Sequence, residues 1–417
     1  MLIFKLILNF PFKASSLTTF SVKLYLVNLF GGEIEMSKKL INKLVIGGLI
    51  VLALIIVWGQ ASTYLKKPAA TEKNNHLAIP RATHSTERGR LQQALSPTGF
   101  SGSAILVKNN QIVDSYTAGV EDNEGGKKNR LTTAYEIDSL QKSLTAGLVM
   151  TLVNRHEIAL TDRLNQYITG IPGSAEITIR QLLDMTSGLS LPKLKYKGDS
   201  LSRKQYLKIL RKNVKFQPEK YGKWNYQPVN YVLLSMILEK VTGDSYQQLF
   251  TERYTSKLNL QQTVFATDTT GYDTAKGYYL KKQGDEVKQV LQKPNLATVE
   301  SELGTGQVYM SVADYYKTLA KLLNGGLLGK PTVQTLYRPA NGAQVKYHGG
   351  LYTNQQNYYS ANGYGYGFED HIRISPDGKQ ALIVFSNHQG NKIKGQKLKQ
   401  AVDKLTNQYF KTAQINE

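Results

Sequence analysis

The chain has 417 residues, carries 52 Lys and Arg against 31 Asp and Glu for a net charge of +21, and contains no cysteine. Without a thiol, disulfide scaffolds, thiolate metal centres and cysteine nucleophiles are excluded. At 41% hydrophobic residues wholesale disorder is excluded too. The charge points to an anionic partner: nucleic acid, an anionic membrane surface or an acidic polymer.

In chain order, Met1 to Phe30 is apolar but interrupted by Lys5, Lys13 and Lys23, which makes it a weak membrane candidate. Gly31-Gly32-Glu33 just before Met36 is what a purine-rich ribosome-binding site would encode. Met36 is therefore the expected native start, with residues 1–35 a non-native extension. Leu44 to Trp58 is uncharged and mostly apolar and follows Lys38, Lys39 and Lys43. Residues 36–61 thus read as a cytoplasmic segment and a single membrane-spanning anchor, which would place the rest of the chain outside the cell. A cleaved signal peptide ending at Gly59-Gln60-Ala61 is the competing reading. Residues 62–90 are polar and proline-punctuated, a spacer ahead of one globular domain at 91–417.

Within that domain, two alternating apolar runs around Asn109-Asn110 predict a β-hairpin, and HIRISPDGKQALIVFSN predicts another around Pro376-Asp377-Gly378. Helical periodicity marks Ser139 to Asn154, Tyr231 to Thr242 and Leu398 to Phe410. Strands at both ends around a helical middle imply one sheet built from both termini.

The sharpest local motif is Asp138-Ser139-Leu140-Gln141-Lys142 at the start of a helix with a continuous apolar stripe. Positions i and i+3 share a helix face, so Lys142 comes within reach of the Ser139 hydroxyl. A neighbouring amine can activate a serine, and a helix N-terminus favours a developing oxyanion. Alone, the string S-x-x-K fits equally well a helix-capping serine followed by a solvated lysine. It recurs as Ser190-Leu191-Pro192-Lys193, in a loop with no helical stripe, which reads as a decoy.

The run YEIDSLQKSLTAGLVMTLVNRHEIALTDRLNQYITGIPGSAEITIRQLLDMTSGL, followed by WNYQPVNYVLLSMILEKVTGDSY and NGYGYGFEDHIRISPDGKQALIVFSN, resembles the serine β-lactamase and penicillin-binding-protein-like superfamily, in its class C and D-Ala-D-Ala carboxypeptidase branch. The similarity covers about residues 92 to 410. It implies an α/β (α+β) fold: an antiparallel sheet from both chain ends, flanked by helices, with an inserted all-helical region. It also implies Ser139 as the acylated nucleophile, Lys142 as its base and Tyr226 as a phenolic proton shuttle. Without the resemblance Tyr226 is read as a core tyrosine. The substrate-binding strand would be Ala361-Asn362-Gly363, with the backbone N–H of Tyr364 completing an oxyanion hole with that of Ser139.

The sequence departs from the family pattern at three places. Pro228 stands where the family has the asparagine of Y-x-N, with Asn230 a candidate substitute. Met185 replaces a histidine. Ala361 replaces the cation of K-T-G or H-x-G, while His348-Gly349-Gly350 is read as the preceding strand.

The six histidines lack metal-ligand spacing with carboxylates, so no metal is expected, and the acyl-transfer chemistry needs no cofactor. The basic, tyrosine-containing stretches Lys193 to Lys197 and Arg203 to Lys223 read as a solvated face or a site of attraction to wall polyphosphate. A domain outside the membrane would not meet nucleic acid. The expected function is an extracytoplasmic serine hydrolase acting on D-alanyl groups of a cell-envelope polymer. The missing cation and the net charge favour a D-alanyl esterase on teichoic acid. The alternatives are a D,D-carboxypeptidase on peptidoglycan stem peptide, a weak β-lactamase, or a catalytically silent envelope-binding protein.

Overall fold

The computed structural model describes residues 79–82, 85–196, 198–284, 286–338, 346–353, 357–390 and 397–412. The extension at 1–35, the anchor or signal peptide at 36–61 and the spacer up to residue 78 lie outside the described residues. Among the described residues no helix is long and apolar enough to cross a membrane.

The two chain ends meet in one antiparallel sheet. Strands β1 (Gly102–Lys108) and β2 (Gln111–Ala118) turn at Asn109 and Asn110, whose φ values of 51° and 62° are the left-handed pair a two-residue hairpin turn needs. The C-terminal part supplies β3 (Tyr347–His348), β4 (Leu351–Thr353), β5 (Tyr359–Gly365), β6 (Phe368–Ile374) and β7 (Ala381–Ser386). The sheet order is β3-β4-β5-β6-β7-β1-β2, and Ala104 of β1 pairs with Val384 of β7.

Five helices frame this sheet and the site: α1 (Arg90–Leu95), α2 (Gln141–Asn154), α3 (Val229–Thr242), α4 (Val312–Leu323) and α5 (Lys397–Thr412). Strand alternation sends Ile105, Val107, Ile383 and Phe385 into a large core shared with α2, α3 and α4. On the other face Ala104, Leu106, Leu382 and Val384 meet Leu91, Leu95, Val402 and Leu405 of α1 and α5. Both faces are covered, so β7 is buried at every position. Helix α2 is sunk into the larger core. The Tyr254 hydroxyl donates to the Leu144 carbonyl at 2.7 Å across Gly147, where a methyl group would overlap both that hydroxyl and Leu322.

Two expectations change. The folded domain begins upstream of Leu91: Ile79 is buried in the main core, and Pro80 and Ala82 bond to the backbone of Ile112 at the β2 edge. His348 belongs to the outermost strand of the sheet, separated from β5 by β4, and its buried ring bonds Asp184 at 3.0 Å.

Candidate functional site

One 3-10 turn, Asp138–Leu140, runs straight into α2 and presents Ser139 at the helix entrance. Asp138 sits at φ 44°, a left-handed conformation that costs a non-glycine residue energy and that Asp tolerates better than most. The turn is tied down on both sides. Ile137 N–H donates to the Val308 carbonyl at 3.0 Å, and Asp138 N–H donates to Glu136 Oε1 at 3.1 Å. Such strain concentrates at functional sites because the surroundings must hold it in place.

Lys142, one turn on, is 1% exposed and donates from Nζ to Ser139 Oγ at 2.8 Å and to the Thr305 carbonyl at 3.3 Å. Ser139 Oγ in turn donates to Asp138 Oδ1 at 2.9 Å. The serine is thus held between an amine and a carboxylate, and it remains partly open to solvent. The second S-x-x-K copy has Lys193 exposed in a loop.

Tyr226 reaches the same place from the loop before α3. Lys142 Nζ stands 5.6 Å from the centroid of its ring, and Tyr347 packs edge-on against it at 5.9 Å. Among the described residues, the hydrogen bonds of Ser139 and Lys142 go to each other, Asp138 and Thr305, not to Tyr226. Pro228 stands at the N-cap of α3 and is exposed. Asn230 does not line the site. It is 1% exposed, accepts from Ser187 Oγ at 2.5 Å and donates to the Gln227 carbonyl at 2.9 Å, so it fixes the Tyr226 loop from behind. Met185, where the family has histidine, is fully buried at φ 54°, and its carbonyl accepts the Asn225 N–H at 2.9 Å. Main chain, indifferent to the side-chain change, holds the loop there.

Strand β5 flanks the nucleophile with its glycines. A methyl group at Gly363 would stand 2.7 Å from the Ile137 carbonyl oxygen, and one at Gly365 would overlap Asp138 Oδ2. Side chains alternate along a strand, so Asn362 and Tyr364 face the other way. Asn362 Oδ1 bonds His371 Nδ1 at 2.7 Å and accepts from Arg373 at 3.2 Å, and the Tyr364 ring packs on His371. The Asn362 side chain is therefore not a substrate ligand at Ser139. The β5–β6 hairpin turns at Tyr366 and Gly367, with Gly365 opposite Phe368. That makes Gly365 and Phe368 a hydrogen-bonded pair and directs the Tyr364 N–H to the other edge of β5. Strand β4 pairs with β5 only at Tyr359 and Ser360, so this edge is unpaired by β4 at Tyr364.

A group of carboxyls that sequence reasoning did not identify surrounds this point. Glu136, Asp138 and Asp370 are buried, and Glu302 is partly exposed. Burial holds all four above the usual carboxylate range, and the negative charge of Asp138 reinforces this at Glu136, Glu302 and Asp370. Glu302 is pushed up to about 8, and the positive charge of Lys142 opposes the shift at Asp138 and Glu302. The Tyr366 hydroxyl donates to Glu302 Oε1 at 2.6 Å. Among the described residues Glu136 Oε2 and Asp370 Oδ2 have no hydrogen-bond partner. The only legible hint was Glu136 and Asp138 at alternate positions before the serine. Glu302 and Asp370 join them through the fold. No group of His, Asp or Glu suited to a metal occurs among the described residues.

The strand-flanked helix entrance and its Ser–Lys pair define a serine hydrolase of the β-lactamase and penicillin-binding-protein type. The Beta-lactamase family model matches residues 91–406, and the chain belongs to that family. It is 26% identical over 372 residues to PbpX of Bacillus subtilis (strain 168), named for a penicillin-binding protein, covering 85% of this chain and 92% of that one. It is 30% identical over 234 residues to the teichoic acid D-alanine hydrolase of Staphylococcus aureus (strain MRSA252), an alignment spanning 56% of this chain and 57% of that protein. The crystal structure of FmtA from Staphylococcus aureus matches with TM-score 0.69 at 24% identity, over 82% of this chain and 91% of that one. The D-amino acid amidase of Ochrobactrum anthropi SV3 matches with TM-score 0.64 at 20% identity, over 76% of this chain and 94% of that one. These two structural likenesses concern the fold.

Proposed function

We propose that this serine hydrolase removes D-alanyl groups from teichoic acid through an ester formed on Ser139. The observation that carries the reading is the 2.8 Å contact between Lys142 Nζ and Ser139 Oγ at the mouth of α2. Ser139 Oγ attacks the D-alanyl carbonyl carbon. Its proton passes through the Lys142–Ser139 contact to the departing polymer oxygen as the ester C–O bond breaks. Water then adds to the acyl-serine, and D-alanine leaves as the proton returns to Ser139. The oxyanion would be held by the N–H groups of Ser139 and Tyr364, and the Tyr226 ring beside Lys142 suits that residue to the proton transfers.

Two features support an ester of an anionic polymer. Ala361 supplies no cation to hold the free carboxylate of a stem peptide. The helix Arg203–Asn213 and the strand Lys215–Tyr221, just before the Tyr226 loop in the chain, expose Lys204, Lys208, Lys212, Lys215 and Lys220. The relatives named for teichoic acid D-alanine hydrolysis point the same way. We place the enzyme outside the cytoplasm, held at the membrane by residues 44–58. Incubating the full chain with D-alanylated lipoteichoic acid and, separately, with a pentapeptide muropeptide tests the reading. D-alanine should be released from the former, and Ser139→Ala should abolish release; release from the peptide alone would overturn it.

A further inference from the structure

We propose that Asp138 and Glu302, the latter bonded by Tyr366, bind the free α-ammonium of the acyl group, so that the site selects aminoacyl esters over N-acylated ones. This rests on the esterase reading and names what such an ester must carry.

Four carboxyls, Glu136, Asp138, Glu302 and Asp370, meet behind Ser139, and among the described residues the cation that bears on Asp138 and Glu302 is Lys142. The balance is short of positive charge, and Glu136 Oε2 is 2% exposed at the residue level with no partner. Glu136 and Glu302 converge at Gly306, where a methyl group would overlap Glu302 Oε2 and stand 3.5 Å from Glu136 Oε1. An entering ammonium would repair that balance, because a buried carboxyl becomes a favourable anion once a cation reaches it.

Geometry places the deficit where an α-amine must sit. In a D-alanyl ester the amine is two bonds from the carbon that Ser139 attacks, so its partner must adjoin the nucleophile. Asp138 Oδ1 is 2.9 Å from Ser139 Oγ. The Tyr366 hydroxyl donates to Glu302 Oε1 at 2.6 Å. An N-acylated amine, as in a peptide or a β-lactam side chain, brings no charge and leaves those carboxyls uncompensated. The basic outer surface and the acidic cluster together match a polymer of phosphates bearing aminoacyl esters.

The test compares the D-alanyl ester of glycerol with its N-acetyl counterpart, using the full chain. The free-amine ester should have the higher kcat/KM by at least about tenfold, the scale of one charge-assisted hydrogen bond. In Glu302→Gln and Asp138→Asn that ratio should fall toward one. A second measurement needs no variant: D-alaninamide should slow fluorophosphonate labelling of Ser139 in the wild type, and N-acetyl-D-alaninamide should not. Equal hydrolysis of the two esters, or equal protection by the two amides, overturns the ammonium pocket and leaves the esterase intact. Failure to cleave either ester, with cleavage of an N-acyl-D-alanyl-D-alanine peptide, overturns both.

Discussion

Gly365 and Asp138 are packed so closely that a methyl group on the glycine would overlap the aspartate Oδ2, the partner oxygen of the one that accepts the Ser139 hydroxyl. Strand β5 therefore sets the position of the residue that holds the nucleophile. Gly365→Ala should displace the Asp138 carboxylate, with an overpacking penalty of about 1–3 kcal/mol. The larger effect should be on acylation, since small misplacements at a reacting group cost up to about a hundredfold. Fluorophosphonate labelling of Ser139 should slow by tenfold or more, at the scale of such misplacements, while the protein still melts cooperatively. Labelling at the wild-type rate would show that Asp138 yields without consequence.

Lys142 is the only amine on the nucleophile among the described residues, and its stem is buried in α2. Lys142→Ala should reduce hydrolysis by about 10²–10⁴-fold, the usual contribution of a positioned acid or base. Lys142→Met fills the same volume and isolates the electrostatic part. It removes the charge that opposes the shifts at Asp138 and Glu302, so both should hold their protons to higher pH than in the wild type. Steady-state rates for both variants, with a cooperative thermal melt as the check on folding, decide it.

The carboxyl group of Glu302 gives stability a pH dependence with a definite sign. Its folded value, about 8, lies above the unfolded value of about 4.3. Between those limits the unfolded chain is ionised and the folded chain protonated, so Glu302 contributes stability below about pH 4.3 that is lost as pH rises toward about 8, and is level beyond. Tm measured at intervals between pH 5 and 8 should fall less steeply for Glu302→Gln than for the wild type. Parallel curves would contradict the assignment. Glu136, Asp138 and Asp370 are shifted in the same direction, so some slope should survive in the variant.

Lys204, Lys208 and Lys212 lie four residues apart on one exposed face of the helix Arg203–Asn213. Reversing all three to Glu should raise KM for D-alanylated teichoic acid severalfold at low salt, yet spare a small D-alanyl ester. The difference should fade as the Debye length shrinks from about 10 Å at 0.1 M salt to about 3 Å at 1 M. Loss of activity on both substrates would place these lysines in folding, not polymer attraction.

The parts of the fold legible in the sequence are those fixed by local pattern. Asn109-Asn110 announced its hairpin through two residues that tolerate positive φ, and Ser139 and Lys142 met because helical periodicity puts i and i+3 on one face. Asn362 was misread because a strand's two faces differ by a single residue of register, and only its pairing with His371 shows that its side chain turns away. Asn230 was misread for a related reason: it stands two residues beyond the family's asparagine position, and the first turn of α3 points it at Ser187. The acidic cluster was invisible, because Glu302 and Asp370 are brought to Asp138 by a loop and a strand far along the chain. Ile79 was assigned to a spacer since one apolar residue in a polar stretch gives no periodicity to read.

The central claim is an acyl ester on Ser139, and it is tested most directly by trapping that ester. Rapid acid quench of the full chain with D-alanylated lipoteichoic acid, followed by proteolysis and peptide mass spectrometry, should find a D-alanyl group on the peptide carrying Ser139. The group should be absent in Ser139→Ala and should accumulate in any variant slowed in deacylation. D-alanine release with no modification of that peptide, or release persisting in Ser139→Ala, would contradict the account.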